Sequence, residues 1–232
     1  QSIGPKSRGA RFGGRGGAQR GLNENYAREL LELHTLGVDG GYTQQDVQEL
    51  AKMLTGWTVG GLVRGGGRRL AQMDPDGPIG FAFQELLHEP GTKGVLGGTY
   101  AEAGVAEGER VIRALCRHRS TARFIAAKLV THFVSDDPPA QAVERVARTF
   151  HDSDGDLRAV AGVIVDLQDA WDERTRKFRT PQDWLVAVLR ALNATDVSET
   201  VLPLLRQLRH PIWSPQSPKG FGDLTQEWAD PD

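Results

Sequence analysis

The sequence predicts a mostly α protein, an array of about seven helices with one irregular loop or short β-hairpin insertion. Apolar residues recur at helical spacing along most of the chain, and helix-capping residues precede several of these runs. Inside the predicted domain, the glycine-rich stretch near 58–104 interrupts this pattern. With 232 residues, 39% hydrophobic and 25% charged, the chain is long enough to bury a sizeable core. We therefore expect helices packed on helices.

Composition predicts a flexible Gly/Arg-rich segment at 1–21 and a single mostly helical domain at 22–232, with the loop insertion near 58–104. Residues 1–20 carry five basic residues and no acid; since the net charge is −2, the remainder carries −7. That charge argues against a nucleic-acid-binding body and leaves the Arg/Gly-rich start as the candidate RNA-binding segment. A glycine-rich linker kept in solution by arginine is the favoured alternative. No stretch approaches the ~18 apolar residues that a membrane helix needs.

The first helix is predicted to begin at Asn23, a capping residue, and to end at Gly37. At 100° per residue its polar side chains share one face: Glu24, Asn25, Arg28, Glu29, Glu32 and Thr35. His34 falls within the opposite, apolar face, between Leu30 and Leu31. Glu24 and Arg28, four residues apart, are expected to pair.

Further helix starts carry local signals. Thr43 and Asp46 have capping-box spacing, so a second helix should follow the Gly40-Gly41 turn and pack antiparallel to the first. Asp156 is predicted to open another helix. The run Thr180-Pro181-Gln182-Asp183 combines a cap, a first-turn proline and an acid. In the helix that begins at Thr180, the residues predicted to be buried are Trp184, Leu185, Val188, Leu189 and Leu192.

Several motifs together resemble a known family. They are the run Asn23–Gly37, then Tyr42-Thr43, Asp46-Val47 and Thr55-Gly56-Trp57, the residues His88, Gly91, Lys93 and Leu96-Gly97, and the run Gly155–Val160. On these residues the chain is similar to the bacterial family called domain of unknown function 1800. The resemblance implies a mostly helical bacterial protein, exported or periplasmic rather than cytoplasmic, and transfers no catalytic residue.

The chain departs from the family pattern in three places. Glu89 stands where the family pattern has aspartate, and the glycine–arginine stretch 60–69 looks like an insertion. The family's N-terminal portion is missing ahead of Gln1, so we expect the chain to be a fragment. A site completed by that portion would be incomplete here.

His34 is the first candidate for chemistry, because neutral imidazole serves as a metal ligand and as an acid–base group. The same helix supplies Glu29 and Glu32, but helical geometry turns both away from His34. A buried histidine bonded to a backbone carbonyl is the favoured alternative.

His88 is the second candidate, on a loop beside Glu89 and Lys93. An ordinary turn explains His88-Glu89-Pro90-Gly91 equally simply. If His34 and His88 converge with a carboxylate of the first two helices, a metal site becomes plausible. The candidate functional residues are therefore Asn25, Arg28, Glu29, Glu32, His34, His88 and Lys93.

Common enzyme motifs are missing from the sequence: it has no Gly-Lys-Ser/Thr phosphate loop, no Gly-x-Ser-x-Gly elbow and no His-Glu-x-x-His pair. The run Asp152–Asp156 fails as a calcium loop, since Leu157 stands where glycine is required; a turn ending in a helix cap is favoured. Cys116 is expected to be a small core residue.

Two functional hypotheses follow. The first is a non-catalytic helical binding or structural module of a bacterial envelope or secreted system, with a protein or polymer partner and an exposed aromatic patch drawn from Trp213, Phe221 and Trp228. The alternative is a metal-assisted hydrolase-like enzyme using His34, His88 and the acids of the first helix. The sequence names no cofactor.

Overall fold

A computed structural model describes residues 2–12, 22–60, 79–175 and 177–229. By contacts between residues the chain divides into two compact units, 1–118 and 119–232. The described residues form nine α-helices and two antiparallel hairpins, which confirms the predicted mostly α class with a short hairpin insertion. That the two units make up one helical domain over 22–232 stays a prediction.

The first unit begins its helical part with α1 (Glu24–Glu32) and α2 (Gln44–Met53). The side chain of Asn23 accepts a hydrogen bond from the backbone of Asn25, so the predicted cap is confirmed. The predicted end at Gly37 is wrong: α1 ends at Glu32, and the backbone N–H groups of Leu36 and Gly37 turn back to the carbonyl of Leu31. This closing turn satisfies carbonyls that the helix end would otherwise leave free.

The start of α2 has the predicted capping box. Thr43 Oγ1 accepts from the backbone of Asp46, and Asp46 Oδ2 accepts from the backbone of Thr43. The predicted hairpin of α1 and α2 forms, and its buried face includes Leu31 and Leu50.

Two antiparallel hairpins follow, where the sequence predicted an irregular loop or short β-hairpin insertion. Strand β1 (Trp57–Gly60) pairs with β2 (Gly80–Phe83), and β3 (Lys93–Val95) pairs with β4 (Gly98–Tyr100). Leu96 and Gly97 form the two-residue turn of the second hairpin, both at positive φ (51° and 75°). Much of the predicted insertion loop, 61–78, lies outside the described residues.

The last helix of the first unit is α3 (Val105–Cys116). Its buried stripe, Val111 and Leu115, completes a core with Leu31, Leu50 and Met53. Cys116 is exposed, so its prediction as a core residue is wrong.

Residues 2–12 bond to a later part of the first unit, the segment around Leu87 and Glu89. Gly4 donates to the carbonyl of Leu87, and Lys6 donates from its backbone to the carboxylate of Glu89. These residues belong to the segment 1–21 that was predicted to be flexible. Residues 13–21 of that segment lie outside the described residues.

The second unit opens with α4 (Arg119–Phe133), α5 (Ala140–Asp152) and α6 (Leu157–Val165), which share a core around Ala126, Val146 and Val160. The side chain of Asp156 caps α6, so the predicted turn ending in a helix cap is confirmed.

Three further helices end the second unit: α7 (Pro181–Ala191), α8 (Ser198–Gln207) and α9 (Thr225–Ala229). Thr180 caps α7 as predicted. Of the predicted buried face of α7 only Leu185 is buried; Trp184 and Leu192 are exposed. Within the described part of the chain, no helix combines the length and the apolar character needed to cross a bilayer.

Candidate functional site

Five polar side chains form a buried cluster in the first unit. This buried cluster is Thr55, His88, Glu89, Lys93 and Glu107, and none of the five residues is more than 6% exposed. Charged side chains are rarely buried to this degree unless they are paired. The cluster is therefore the most unusual chemical feature of the unit.

Four separate elements bring the buried cluster together. Thr55 follows α2, His88 and Glu89 follow the 3₁₀ turn at 85–87, Lys93 opens β3, and Glu107 lies in the first turn of α3. Gly56 allows the segment after α2 to lie close to the backbone of Gln84. Its φ is +83°, and a Cβ there would lie 2.6 Å from the carbonyl oxygen of Gln84. Only glycine fits so close to a neighbouring backbone.

His88 holds a proton in a defined place. Its Nδ1 lies 2.9 Å from the carbonyl oxygen of Thr55, which can only accept, so Nδ1 carries a hydrogen. Its Nε2 lies 2.7 Å from Glu107 Oε1. Two acceptors cannot approach that closely without a proton between them. Either His88 is an imidazolium or Glu107 is protonated, and the pair shares one proton in both cases.

Lys93 completes the pairing. Its Nζ donates to Glu107 Oε1 at 2.7 Å and to the backbone carbonyl of Glu89 at 2.5 Å. The second oxygen of Glu107 accepts from the backbone of Ala103 at 3.3 Å, and Glu89 Oε2 accepts from the backbone of Lys6 at 2.7 Å. Each charged group in the buried cluster therefore has a hydrogen-bonding partner, as burial requires.

Thr55, His88 and Glu107 share the composition of a hydroxyl–imidazole–carboxylate triad, but their hydrogen bonds differ. The hydroxyl of Thr55 donates to the carbonyl of Lys52 at 2.6 Å and accepts from the backbone of Glu89 at 2.8 Å. It lies 3.4 Å from a ring nitrogen whose hydrogen already goes to a carbonyl. A triad needs a base that can take the proton of the hydroxyl, and this arrangement provides none.

The second unit contains an open cleft of about 990 Å³. We call it the aromatic cleft, because it is lined by four aromatic and four charged side chains: Phe178, Trp184, Phe221, Trp228, Lys177, Arg179, Arg209 and Glu227. Trp184 is 51% exposed on α7. The prediction that Trp184 is buried is wrong, because its side chain lines the cleft.

His210 supports one wall of the aromatic cleft. Its ring stacks on Trp228 at 4.8 Å between centroids and contacts Phe221 at 4.3 Å. His210 is 7% exposed, and its Nδ1 has no hydrogen-bond partner among the described residues. Burial lowers the pKa of His210 and Asp183 opposes that shift, so the neutral ring is favoured.

Ion pairs with α4 and the turn after it hold the C-terminal wall of the cleft. Asp223 accepts from Lys128 at 3.0 Å and from His132 at 2.9 Å. Asp136 bonds Lys177 and the backbone of Thr225. Burial alone would raise the pKa of Asp136, but the bonds from Lys177 and Thr225 outweigh burial and lower the pKa to about 2.

Comparison with known proteins settles the family. The model of the family described as "Protein of unknown function (DUF1800)" matches residues 1–232. The chain belongs to this family. Neither the curated proteins nor the solved structures gave a match.

Most of the candidate residues in the DUF1800-like first motif lie on or beside the surface of the α1–α2 hairpin. Arg28 bonds Gln44 at 2.7 Å and lies 3.9 Å from Glu24, as the spacing predicted. Glu32 accepts from Tyr42 at 3.4 Å. The other two helix residues in this set are Asn25, which is exposed, and Glu29, which is half-buried.

The prediction that His34 lies in the buried apolar face is wrong, and so is its alternative of a buried histidine. Because α1 ends at Glu32, His34 lies in the following turn, where it is exposed. His88, by contrast, is buried, and both of its ring nitrogens have partners. Among the residues that the structure describes, no group of three or more His, Cys, Asp or Glu side chains could hold a metal ion.

Of the predicted candidates, His88 and Lys93 are brought together, whereas Thr55, Glu89 and Glu107 were not among them. Glu107 carried a usable signal. It stands four residues before Val111 and eight before Leu115, on the apolar stripe of α3. An acid on such a stripe indicates a buried carboxylate that needs a cation, and this DUF1800 chain supplies Lys93.

Proposed function

We propose that this DUF1800 protein is a non-catalytic helical module of an envelope or secreted system, and that it binds a protein or polymer partner in the aromatic cleft. The observation that carries the proposal is a half-exposed Trp184 in a cleft of about 990 Å³ with three cations. Clefts of roughly 300–1,000 Å³ lined by aromatic rings and a few polar groups are where proteins bind ligands.

The closed state of the buried cluster supports the non-catalytic part of the proposal. Its histidine and lysine bond Glu107, and its hydroxyl donates to a backbone carbonyl. Two other histidines have ordinary acidic partners: His132 pairs with Asp223 and His151 with Asp152. Such bonds stabilise a fold and leave no group poised to attack a substrate.

Binding to an array of polysaccharides and peptides tests the proposal, using the wild type, Trp184→Ala and Trp171→Ala. Trp184 lines the cleft, whereas Trp171 is exposed and is not part of the lining. We expect Trp184→Ala to weaken binding by about tenfold or more, since stacking on one ring contributes about 1–3 kcal/mol. Trp171→Ala should bind as the wild type does. Equal binding by both variants, or no bound ligand, would disprove a cleft-based binding function.

The alternative of a metal-assisted hydrolase using His34, His88 and the acids of α1 is tested separately. Metal content by mass spectrometry is measured for the wild type and for His34→Ala. Because His34 is exposed in a turn, the binding-module proposal predicts no stoichiometric metal and an unchanged free energy of unfolding in the variant. Stoichiometric metal that is lost in His34→Ala would favour the hydrolase instead.

A further inference from the structure

The aromatic cleft has a charge opposite to that of the chain as a whole. Three cations and one carboxylate line it, whereas the entire chain carries −2. Two of these charges are already used, because Lys177 pairs with Asp136 and Glu227 pairs with Lys219. Arg179 makes no hydrogen bond or ion pair with the described part of the chain. The cleft is therefore electrostatically suited to an anion, with Arg179 available to bind it.

The uncharged side chains that line the cleft indicate which class of anion fits it. Three glutamines, Gln207, Gln216 and Gln226, contribute amides that both donate and accept hydrogen bonds. Trp184 presents an exposed indole face. Sugar rings offer hydroxyls, which need partners of both kinds, and flat C–H faces that pack on aromatic rings. Amides, indole and guanidinium together match a sugar polymer that carries carboxylates.

Acidic peptides fit the cleft less well. An extended peptide can bind by adding to a strand edge, but the described residues of the second unit contain no strand that could offer such an edge. A helical peptide needs an aliphatic groove, whereas Leu208 and Pro181 are the aliphatic side chains in the lining.

We infer that the aromatic cleft binds an anionic polysaccharide whose charge comes from uronic acid carboxylates, with Arg179 bonding a carboxylate and Trp184 stacking on a sugar ring. This inference rests on the proposed binding function and adds its ligand class. A guanidinium binds a carboxylate through two parallel hydrogen bonds, which a neutral sugar cannot accept in the same way.

Calorimetric titration of the full chain with three polymers tests the ligand class. The probes are polygalacturonate, its methyl-esterified form, in which the carboxylates are neutral, and polyglutamate as a non-sugar polyanion. The variants are Arg179→Gln and Trp184→Ala, with Arg190→Gln and Trp171→Ala as exposed controls outside the lining. Circular dichroism checks that each variant is folded.

We expect polygalacturonate to bind about tenfold more tightly than the esterified polymer and than polyglutamate. Arg179→Gln should bind polygalacturonate about tenfold more weakly than the wild type does, with little change in its affinity for the esterified polymer. Trp184→Ala should weaken the binding of both polymers. Equal binding of polyglutamate, dependent on Arg179 and Trp184, would overturn the ligand class and leave the binding function standing. Preference for the esterified polymer would overturn it as well. If no probe binds and the array also shows no cleft-dependent ligand, both proposals fail.

Discussion

At the scale of single residues, the contact between His88 and Glu107 is the most constrained feature of the first unit. His88 Nε2 lies 2.7 Å from Glu107 Oε1, and Lys93 Nζ lies 2.7 Å from the same oxygen. Glu107 is fully buried. Removing one partner of a buried ion pair leaves an uncompensated charge, which costs about 3–5 kcal/mol.

For the free energy of unfolding, the size and hydrogen-bonding groups of the side chain at position 107 should therefore matter more than its charge. Glu107→Ala is expected to lower the free energy of unfolding by about 3–5 kcal/mol. Glu107→Gln should lower it clearly less, because the amide oxygen can take the position of Oε1 and accept from Lys93, and the side chain still fills the buried space. Urea unfolding measures both, with Glu109→Gln, exposed on the same helix, as the control. Equal losses for Ala and Gln would contradict the hydrogen-bonding scheme.

His210 should make the stability of the protein depend on pH. Burial lowers the pKa of His210 below its ordinary 6.5. Below that pH the unfolded chain binds a proton that the folded chain resists, so stability falls as the pH drops through this range. In His210→Phe the ring cannot be protonated, and the loss of stability between pH 7.5 and pH 5 should shrink.

The measurement is urea unfolding at both pH values. His151→Gln, which changes an exposed histidine on α5, serves as the control and should keep the wild-type pH dependence. If His210→Phe also keeps it, His210 is not the group responsible.

At the scale of elements, Asp46 connects the cap of α2 to the β3–β4 hairpin. Its Oδ2 accepts from the backbone of Thr43 at 2.7 Å, and its Oδ1 accepts from Leu96 at 2.6 Å. Leu96 holds a positive φ of 51°, a conformation that favours glycine and asparagine. The bond from Leu96 helps to hold this turn residue in place.

Asp46→Ala should consequently lower the free energy of unfolding more than Thr43→Ala does. Loss of the Thr43 side chain removes one cap and is expected to cost about 1 kcal/mol. Loss of Asp46 removes the reciprocal cap and the Leu96 bond, for about 2 kcal/mol in total. Thermal unfolding of both variants checks the order, and Gln45→Ala, exposed on the same helix, is the control. Equal costs would mean that the Leu96 bond contributes nothing.

At the scale of the whole molecule, the two compact units have separate cores. Leu31, Leu50 and Met53 belong to the core of the first unit, and Ala126 and Val146 to that of the second. The ion pairs of the buried cluster lie entirely within the first unit, and those that hold the aromatic cleft lie within the second.

Damage to one core should therefore stay within its unit. Leu50→Ala removes a fully buried side chain and is expected to cost about 2–5 kcal/mol. Hydrogen exchange should speed up in α1, α2 and α3 and remain unchanged in α4 and α5. Val146→Ala is the matched variant, with the opposite pattern and a smaller cost of about 1–3 kcal/mol. Faster exchange in both units from either change would show that they unfold together.

Local signals made the helix starts predictable from the sequence. Asn23, Thr43, Asp156 and Thr180 all cap helices as predicted. Each cap depends on residues two or three positions away, so its chemistry is complete within a short window of sequence. The family motifs and the mostly α class were readable for the same reason.

Only the tertiary structure decided which side chains are buried and which of them meet. His34 is exposed because the backbone turns after Glu32, and Trp184 is exposed because it borders a cleft. In the buried cluster His88 contacts both Thr55 and Glu107, residues far apart in the chain, and no local pattern specifies these contacts. Burial and ion pairing depend on what packs against a residue from elsewhere in the chain, so they become known only when the distant elements are in place.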